Sequence, residues 1–381
     1  MKMRMSRLQH LTVFSVAAIH LLLFSICPVS SRIYRTNDAV VIEADNLMGP
    51  SSFASRNFGY PPPIPMMYAV NPYTGLYYQQ QPNFPFWPYP LYRPASSFSD
   101  VENITATSAE SKQQKIACGV GPTTLPKTMN APAADRILGG TEATPNSWPF
   151  VVGLKSTMSL IYCGGSIISK TRILTAASCV YRLTMEEISQ LYVLLIVHRQ
   201  AEMVGFIGDA QMVRRVLRVV YHIDYNAKTL QNDVAVLTID PPINFSKDVS
   251  PVCLPPASSA ADQFVGKDAA IMGWGVTEKD GSTSKTLQQA TVQVTANAKC
   301  IEGWSASPSP VTNQHICASA AGKDICKSDN GGPMVAQTKD GSTSWTQVGI
   351  ASFGNACAGG KPIVFANVAF FRKWIDTYVR N

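Results

Sequence analysis

The pattern of hydrophobic and polar positions becomes regular only after about residue 118. From there, short runs rich in β-branched and aromatic residues alternate with clusters of Gly, Pro, Ser and Asn, as in antiparallel strands joined by turns. Such runs occupy residues 149–152, 172–175, 233–237 and 347–350. Near the C-terminus the period changes, and four apolar residues share one helical face: Trp374, Ile375, Tyr378 and Val379. The pattern predicts an all-β barrel or sandwich with a docked C-terminal helix.

The first 31 residues have the pattern of a secretory signal peptide. Lys2, Arg4 and Arg7 precede an apolar run over residues 11–26, and small residues at 29–31 offer a cleavage site. The run is short for a bilayer span, and the alternative is a retained signal anchor. We expect removal of residues 1–31 and a secreted mature chain that crosses no membrane.

Residues 32–117 differ from the rest of the chain. They lack cysteine, and between Tyr60 and Pro94 they hold ten prolines and seven tyrosines. Proline weakens both helices and sheets, so this composition predicts an extended or disordered arm. Its aromatic side chains suit partner docking or oxidative cross-linking, and the alternative is a plain spacer. Asn103 begins a glycosylation sequon in the arm, and Asn244 begins another within the β-rich region.

Charge and cysteine content narrow the class of protein. The formal net charge is +7, and removal of the three leader cations lowers it to +4 without leaving any run of like charges, so nucleic-acid binding has little support. Apart from Cys27 in the leader there are eight cysteines, an even number that predicts four disulfides of open connectivity. Their spacing does not suit zinc, and we expect no metal or cofactor.

Three segments indicate a protein family when they are read together. They are LTAASC at 174–179, NDVAVL at 232–237 and KSDNGGP at 327–333. Their order and spacing resemble the trypsin-like serine proteases, in which these segments carry a histidine, an aspartate and a serine. RILGG at 136–140 resembles that family's activation junction, and GWG at 273–275 another of its landmarks. The resemblance covers residues 118–381.

The resemblance implies two packed antiparallel β-barrels with the active site in the cleft between them. Residues 118–136 would be a light-chain and activation segment, and residues 137–381 the protease-like domain. A bridge common in the family is absent here, with Ala269 and Ala336 at its two ends. The implied disulfides are Cys163–Cys179, Cys300–Cys317, Cys326–Cys357 and Cys118–Cys253, of which the last would tether the light chain after cleavage.

The residues at the catalytic positions depart from the family's pattern. Ser178 stands where the resemblance places the histidine, Asn330 stands where it places the serine, and only Asp233 is retained. Peptide hydrolysis by this route needs a nucleophilic hydroxyl and an imidazole that moves its proton. A serine hydroxyl is not a general base near neutral pH. We therefore expect no catalysis, and we expect the other histidines to be ordinary surface or packed residues: His198, His222 and His315.

The implied specificity pocket has changed as well; its residues are Asp324, Ser328, Gly354 and Ile363. Asp324 alone would favour a basic side chain, either as a working ligand or as a relic. Ile363, however, stands where an open pocket needs glycine, so its branched side chain is expected to fill the space of the guest. Ser328 replaces a glycine whose backbone N–H belongs to the oxyanion hole.

The activation machinery, in contrast, looks complete. Cleavage after Arg136 would free the amino group of Ile137, which in relatives turns inward to pair with the acid matching Asp329. A buried carboxylate is costly without a partner, so a proteolytic switch is one interpretation. The other is that ordinary hydrogen bonds hold Asp329 in an uncut chain.

These features predict a catalytically inactive serine protease homologue that acts by binding other secreted proteins, such as active proteases or zymogens. The family's inactive members act as cofactors or decoys in extracellular proteolytic cascades, or in adhesion. Two alternatives belong to other classes. One is an active serine endopeptidase with an atypical site, and the other is a matrix or adhesion protein that acts through the Pro/Tyr-rich arm.

Overall fold

The computed structural model describes residues 32–44, 117–126, 140–157, 159–201, 203, 206–276, 282–319, 329–354 and 360–380, and the backbone of 68–70 and 77–79. Two units are distinguished by their internal contacts. One combines residues 1–47 with 115–381, and the other comprises residues 48–114. The second unit contains the short strands β3 and β4, which pair antiparallel.

Seventeen strands and three α-helices lie within the described ranges. The strands are β1 Arg32–Arg35, β2 Ala39–Glu43, β3 Tyr68–Val70, β4 Tyr77–Gln79, β5 Thr141–Glu142, β6 Val151–Ser156, β7 Ile161–Ile167, β8 Arg172–Thr175, β9 Leu191–Leu195, β10 Met212–His222, β11 Ala235–Asp240, β12 Asp268–Gly273, β13 Gln288–Thr295, β14 His315–Ser319, β15 Pro333–Gln337, β16 Trp345–Phe353 and β17 Ile363–Asn367. The helices are α1 Met185–Ser189, α2 Asn297–Gly303 and α3 Val368–Arg380. No described helix is long and apolar enough to cross a membrane.

The large unit contains two six-stranded antiparallel β-barrels. The first has the strand order β10-β11-β8-β7-β6-β9 and closes through the pairing of β10 with β9. The second has the order β12-β15-β16-β17-β14-β13 and closes through β12 and β13, with β5 added outside β13. Closure removes the unpaired edges that an open sheet would expose. The prediction of an all-β fold with two antiparallel barrels is confirmed.

The two barrels pack against each other through a shared apolar cluster. Leu194 contributes from the first barrel, and Met272 and Val335 contribute from the second. Trp148 and Trp345 lie edge to face within it, with ring centroids 4.9 Å apart. Large buried aromatic rings supply much of the apolar area in such an interface. This cluster fixes the relative position of the barrels and hence of the cleft residues that each one carries.

The predicted C-terminal helix is α3. Trp374, Ile375 and Tyr378 are buried against the core of the first barrel, and Val379 is partly buried beside them. The apolar face inferred from the 3.6-residue period is therefore the face that packs. The helix thereby covers one side of the first barrel.

The N-terminal segment corrects one of our expectations. Residues 32–44 were assigned to an extended or disordered arm, but β1 and β2 instead extend the sheet of the first barrel in the order β1-β2-β10. Residues 32–44 contain no proline, so the composition of residues 60–94 does not apply to them. Residues 40–42 are β-branched, and the run Ala39–Glu43 forms a strand because it pairs with β1 on one edge and β10 on the other.

Three of the four implied disulfides lie within the described residues, and all three form. They join Cys118 to Cys253, Cys163 to Cys179 and Cys300 to Cys317. Cys326 and Cys357 lie outside the described residues. Ala269 and Ala336 face each other in register across β12 and β15, the geometry expected of two neighbours whose bridge is absent.

Candidate active site

Asp233 is at the centre of the candidate site. It is buried, with 1% of its surface exposed, and it lies just before β11. Ser178 lies in a single 3-10 turn that follows β8. The antiparallel pairing of β8 with β11 places Thr175 opposite Ala235 and so brings the two residues together. The backbone N–H of Ser178 donates to Asp233 Oδ1 at 2.7 Å, and Ser178 Oγ donates to Oδ2 at 3.0 Å.

A third donor reaches the same carboxylate from the second barrel. Ser352, in β16, is buried, and its Oγ donates to Asp233 Oδ2 at 2.5 Å. Burial raises the pKa of Asp233, while the hydrogen bonds from Ser352 and Ser178 act in the opposite direction. The carboxyl group therefore joins the two barrels, and it accepts hydrogen bonds from two hydroxyls and from the backbone amides of Ser178 and Ala177.

The segment that carries Asn330 is held by backbone bonds to both barrels. Gly164 N donates to Asn330 O at 2.8 Å, and Gly331 N donates to Ala351 O at 2.8 Å. Gly331 has φ +79°, and a Cβ there would lie 2.2 Å from Thr175 Oγ1. Only glycine fits this position. The close approach to Thr175 places the Asn330 segment beside the strand that leads to Ser178.

The side chain of Asp329, which precedes Asn330, is buried against the backbone of Gly273 and Gly275. Its Oδ1 accepts a hydrogen bond of 2.8 Å from Gly275 N. A Cβ on Gly273 or Gly275 would lie 2.1 or 2.2 Å from the carboxylate oxygens. The two glycines around Trp274 are therefore required by the close approach of Asp329. Its partner in the proposed switch, Ile137, lies outside the described residues, as does Arg136.

Each of the three histidines considered as catalytic substitutes is held elsewhere. His198 Nε2 lies 2.8 Å from Glu142 Oε1, and this contact lowers the pKa of Glu142. His222 packs on the rings of Phe371 and Trp374, and burial lowers its pKa. His315 is buried, and its Nδ1 accepts from Thr312 N at 3.1 Å. These contacts agree with structural roles for all three.

Parts of the implied specificity pocket can be placed. Ile363 begins β17 opposite Ala318 and is fully buried in the core of the second barrel. Gly354 follows β16 and is half-buried. Asp324 and Ser328 lie outside the described residues. Of the two sequons, Asn244 is exposed, as glycosylation requires, whereas Asn103 lies outside the described residues.

Ser352 is a site residue that the sequence reasoning missed. It lies near the end of β16, two residues before Gly354, and the sequence gives no local signal that its hydroxyl reaches Asp233. Within the described ranges, no three His, Cys, Asp or Glu side chains converge as a metal site would require. Asp233 accepts hydrogen bonds from hydroxyls and backbone amides. None of the hydrogen bonds described at this carboxyl group comes from an imidazole.

The double barrel and the cleft between its halves define the class of protein. A family profile described as Trypsin matches residues 137–375, so the chain belongs to the trypsin family of serine proteases. Among known proteins, it is 36% identical over 260 residues to "Trypsin eta" of Drosophila erecta. This similarity covers 66% of the present chain and 93% of that protein.

Proposed function

We propose that this chain is a secreted, catalytically inactive trypsin-family protein that acts by binding other secreted proteins, such as active proteases or zymogens, in an extracellular proteolytic pathway. The observation that carries the proposal is the environment of Asp233. Its two oxygens accept from Ser178 N, Ser178 Oγ and Ser352 Oγ. Family members use this carboxylate to orient an imidazole, and in this chain a hydroxyl takes the imidazole's place.

The missing imidazole removes the route for proton transfer. An attacking hydroxyl must lose a proton and the departing amine must gain one, and Ser178 has no pKa suited to either step. Asn330, at the nucleophile position, offers an amide nitrogen of low nucleophilicity. Loss of either group in related chemistry lowers kcat by about a million-fold, and the second loss adds little.

The proposed inactivity extends to the substrate groove. Ile363 is fully buried at a position where an open pocket needs glycine, and packed interiors tolerate few additional methylene groups. We propose that Asp324 is a relic of a basic-residue pocket and that Ser328 misplaces an oxyanion-hole donor. Binding to a partner would then use surfaces outside this groove.

The direct test is labelling with an organophosphonate probe of serine proteases, combined with peptide turnover by the purified protein. We expect neither, with bovine trypsin as the positive control in the same buffer. Turnover that disappears in Ser178→Ala or Asp233→Ala would show that the protein is an enzyme and would refute the proposal. Turnover that survives both substitutions would identify a contaminating protease.

Reconstruction of the site tests the pocket separately. We expect the double variant Ser178→His/Asn330→Ser to cleave basic peptide substrates poorly. Addition of Ile363→Gly should increase kcat/KM, because it opens the space for the substrate side chain. High activity in the double variant alone would contradict the proposed role of Ile363.

We also propose that the bond between Arg136 and Ile137 is a regulatory cleavage site. Asp329 is buried near Trp274, where a new amino terminus would have to bind, and Cys118–Cys253 would keep the light chain attached. Limited digestion with trypsin should produce a new N-terminus at Ile137. Preferential cleavage elsewhere in the described domain would argue against the switch. The disulfide-bonded trypsin-family domain agrees with an extracellular location.

A further inference from the structure

The strand β10 has more pairing partners than a six-stranded barrel requires. One of its edges pairs with β11 from Arg215 to Tyr221. On the opposite edge, β9 covers only Met212–Arg215. The remainder of that edge, from Arg218 to His222, pairs in register with β2. β10 extends beyond the end of β9, and the part of its edge that β9 does not reach is paired with β2, a segment from the N-terminal part of the same chain.

Both faces of β2 are buried. Ala39 and Val41 are fully buried, and Val40 and Ile42 are no more than 7% exposed. Ala39, Val41 and Ile42 belong to the same core cluster as Val219 and Val220 of β10. A strand added to the outside of a barrel without further cover would expose the side chains of one face to solvent. Here the apolar side chains are removed from water as completely as those of the barrel itself.

Polar contacts hold both ends of the segment. At the start of β2, Asp38 O accepts from Trp374 Nε1 at 2.9 Å, and Asp38 Oδ1 accepts from Tyr378 OH at 2.6 Å. At the other end, Glu43 Oε1 lies 3.1 Å from Arg218 Nε. Ala44 N then donates to Leu217 O at 2.9 Å. The helix α3 and the strand β10 thus contact β2 at both of its ends.

We infer that the outer edge of β10, together with α3, is a strand-binding site whose ligand is residues 32–44 of the chain itself. It holds the N-terminal segment on the domain independently of the peptide chain that follows and of any disulfide. Because the predicted leader ends at residue 31, the mature chain keeps the complete hairpin of β1 and β2. A chain cut anywhere between residue 45 and Cys118 would keep its N-terminal fragment as a non-covalently bound strand, because the disulfide from Cys118 to Cys253 then lies on the other side of the cut.

The cysteine distribution permits a direct experiment. Residues 32–117 contain no cysteine, so a fragment produced by a cut within this range cannot be held by a disulfide. We would insert the recognition sequence of a site-specific protease after Pro94 in the full mature chain, cut it, and apply it to a size-exclusion column under native conditions. The fragment from residue 32 to the cut should co-elute with the domain in a 1:1 ratio.

A matched pair of substitutions identifies the contact responsible. Val41→Asp places a carboxylate at a fully buried position, whereas Ile33→Asp makes the same kind of change in β1, at a residue that is 62% exposed. We expect Val41→Asp to weaken fragment retention by ~100-fold or more, because burial of an unpaired carboxylate is costly. Ile33→Asp should leave the fragment bound. Release of the fragment from the unsubstituted cut protein, or equal retention by both variants, would overturn the inference.

A competition assay avoids dependence on the folding of a substituted chain. A synthetic peptide of residues 32–44, added in excess to the unsubstituted cut protein, should displace the fragment, and the same peptide with Val41→Asp should not. Failure of the first peptide to displace a bound fragment would show that contacts beyond residue 44 hold it, and would also overturn the inference. None of these measurements depends on peptide hydrolysis by this protein or on cleavage after Arg136, so their outcome is independent of the proposed function.

Discussion

At the residue scale, the candidate site shows how a buried carboxyl group obtains its hydrogen-bond partners from two β-barrels. A buried carboxylate without partners would be strongly destabilising. Asp233 avoids this because Ser178 supplies two donors from the first barrel and Ser352 supplies one from the second. Asp233 therefore has a structural role, since its hydrogen bonds link the two barrels.

The first prediction concerns these donors. Ser352→Ala removes a buried hydroxyl that donates to Asp233 and leaves a buried carboxyl oxygen with one partner fewer, so it should lower the free energy of unfolding by about 1–3 kcal/mol. Ser178→Ala is the matched control. It also removes a hydroxyl but keeps the backbone N–H at 2.7 Å, so its effect should be smaller. Urea denaturation measures both variants, and a larger loss from Ser178→Ala would contradict this assignment.

The second prediction concerns His315. Burial lowers the pKa of His315 from its usual 6.5 to about 4, although hydrogen bonds to the backbone of Leu230 and Thr312 oppose the shift. The unfolded chain therefore binds this proton at a higher pH than the folded chain does. The stability that the neutral ring provides is complete above pH 6.5 and is lost as the pH falls towards 4.

The size of this effect follows from the shift in pKa. It corresponds to about 3 kcal/mol, to order of magnitude, over that interval. Replacement of the ring in His315→Gln should remove most of this pH dependence, as measured by urea denaturation at pH 7.5 and pH 4.5. An equally steep loss of stability in the variant would show that other groups control the acid sensitivity.

At the element scale, sequence patterns identified the all-β class, four of the twelve barrel strands and the final helix. The runs at 172–175 and 347–350 lie in β8 and β16, and the apolar face of α3 packs as expected. The family was also identified, because the order and spacing of the motifs indicated the profile that matches residues 137–375. Residues brought in by long-range pairing were missed. β2 and Ser352 depend on neighbours that are far away in the sequence, and local patterns do not contain that information.

The segment at 117–126 provides the third prediction. Gly119 has φ +73°, and a Cβ there would lie 2.2 Å from Trp345 O. Gly266 has φ +78°, and nothing lies within 4 Å of a Cβ there. An alanine at Gly266 would therefore have the same backbone strain as an alanine at Gly119, but no steric clash. Gly266→Ala should cost about 1 kcal/mol. Gly119→Ala should cost at least about 3 kcal/mol, because the segment must shift away from Trp345.

Urea denaturation again provides the measurement for the two alanine variants. Equal losses would mean that the backbone conformation alone matters at both positions. In that case the contact between the light-chain segment and Trp345 would contribute little, despite the 2.8 Å bond from Trp345 N to Gly119 O.

At the scale of the whole molecule, the position of β2 changes how the arm must be studied. Deletion of residues 32–117 would remove a buried strand together with the arm, so it would not isolate the arm's function. Both residue 44 and residue 117 belong to the larger unit, so the chain enters and leaves residues 48–114 from that unit. A clean deletion has to keep both attachments.

The fourth prediction uses that design. Replacement of residues 48–114 by a flexible Gly/Ser linker of about 20 residues should change the thermal midpoint by no more than about 3 °C, because the larger unit keeps all its own contacts. Further removal of residues 32–44 should lower the midpoint by about 10 °C or more, since four buried apolar side chains are lost. Differential scanning calorimetry distinguishes these outcomes, and similar midpoints for the two proteins would refute the contribution of β2.

The fifth prediction concerns the mature N-terminus. N-terminal sequencing of the protein recovered from a secretory host should begin at Arg32, because the leader pattern ends at residue 31, directly before β1. A start at or beyond residue 39 would remove part of β2 and would contradict both the leader assignment and the stability expected of the hairpin.

The pairing of β2 with β10 also has a consequence for biosynthesis. Val41 and its partner Val220 are separated by about 180 residues, so the ribosome completes the first strand long before the second. At usual elongation rates the interval is on the order of 10 to 40 s. During that time the Ala-Val-Val-Ile stretch can pair only with β1, and its apolar side chains lack the barrel core that later buries them, which makes it an attachment point for chaperones.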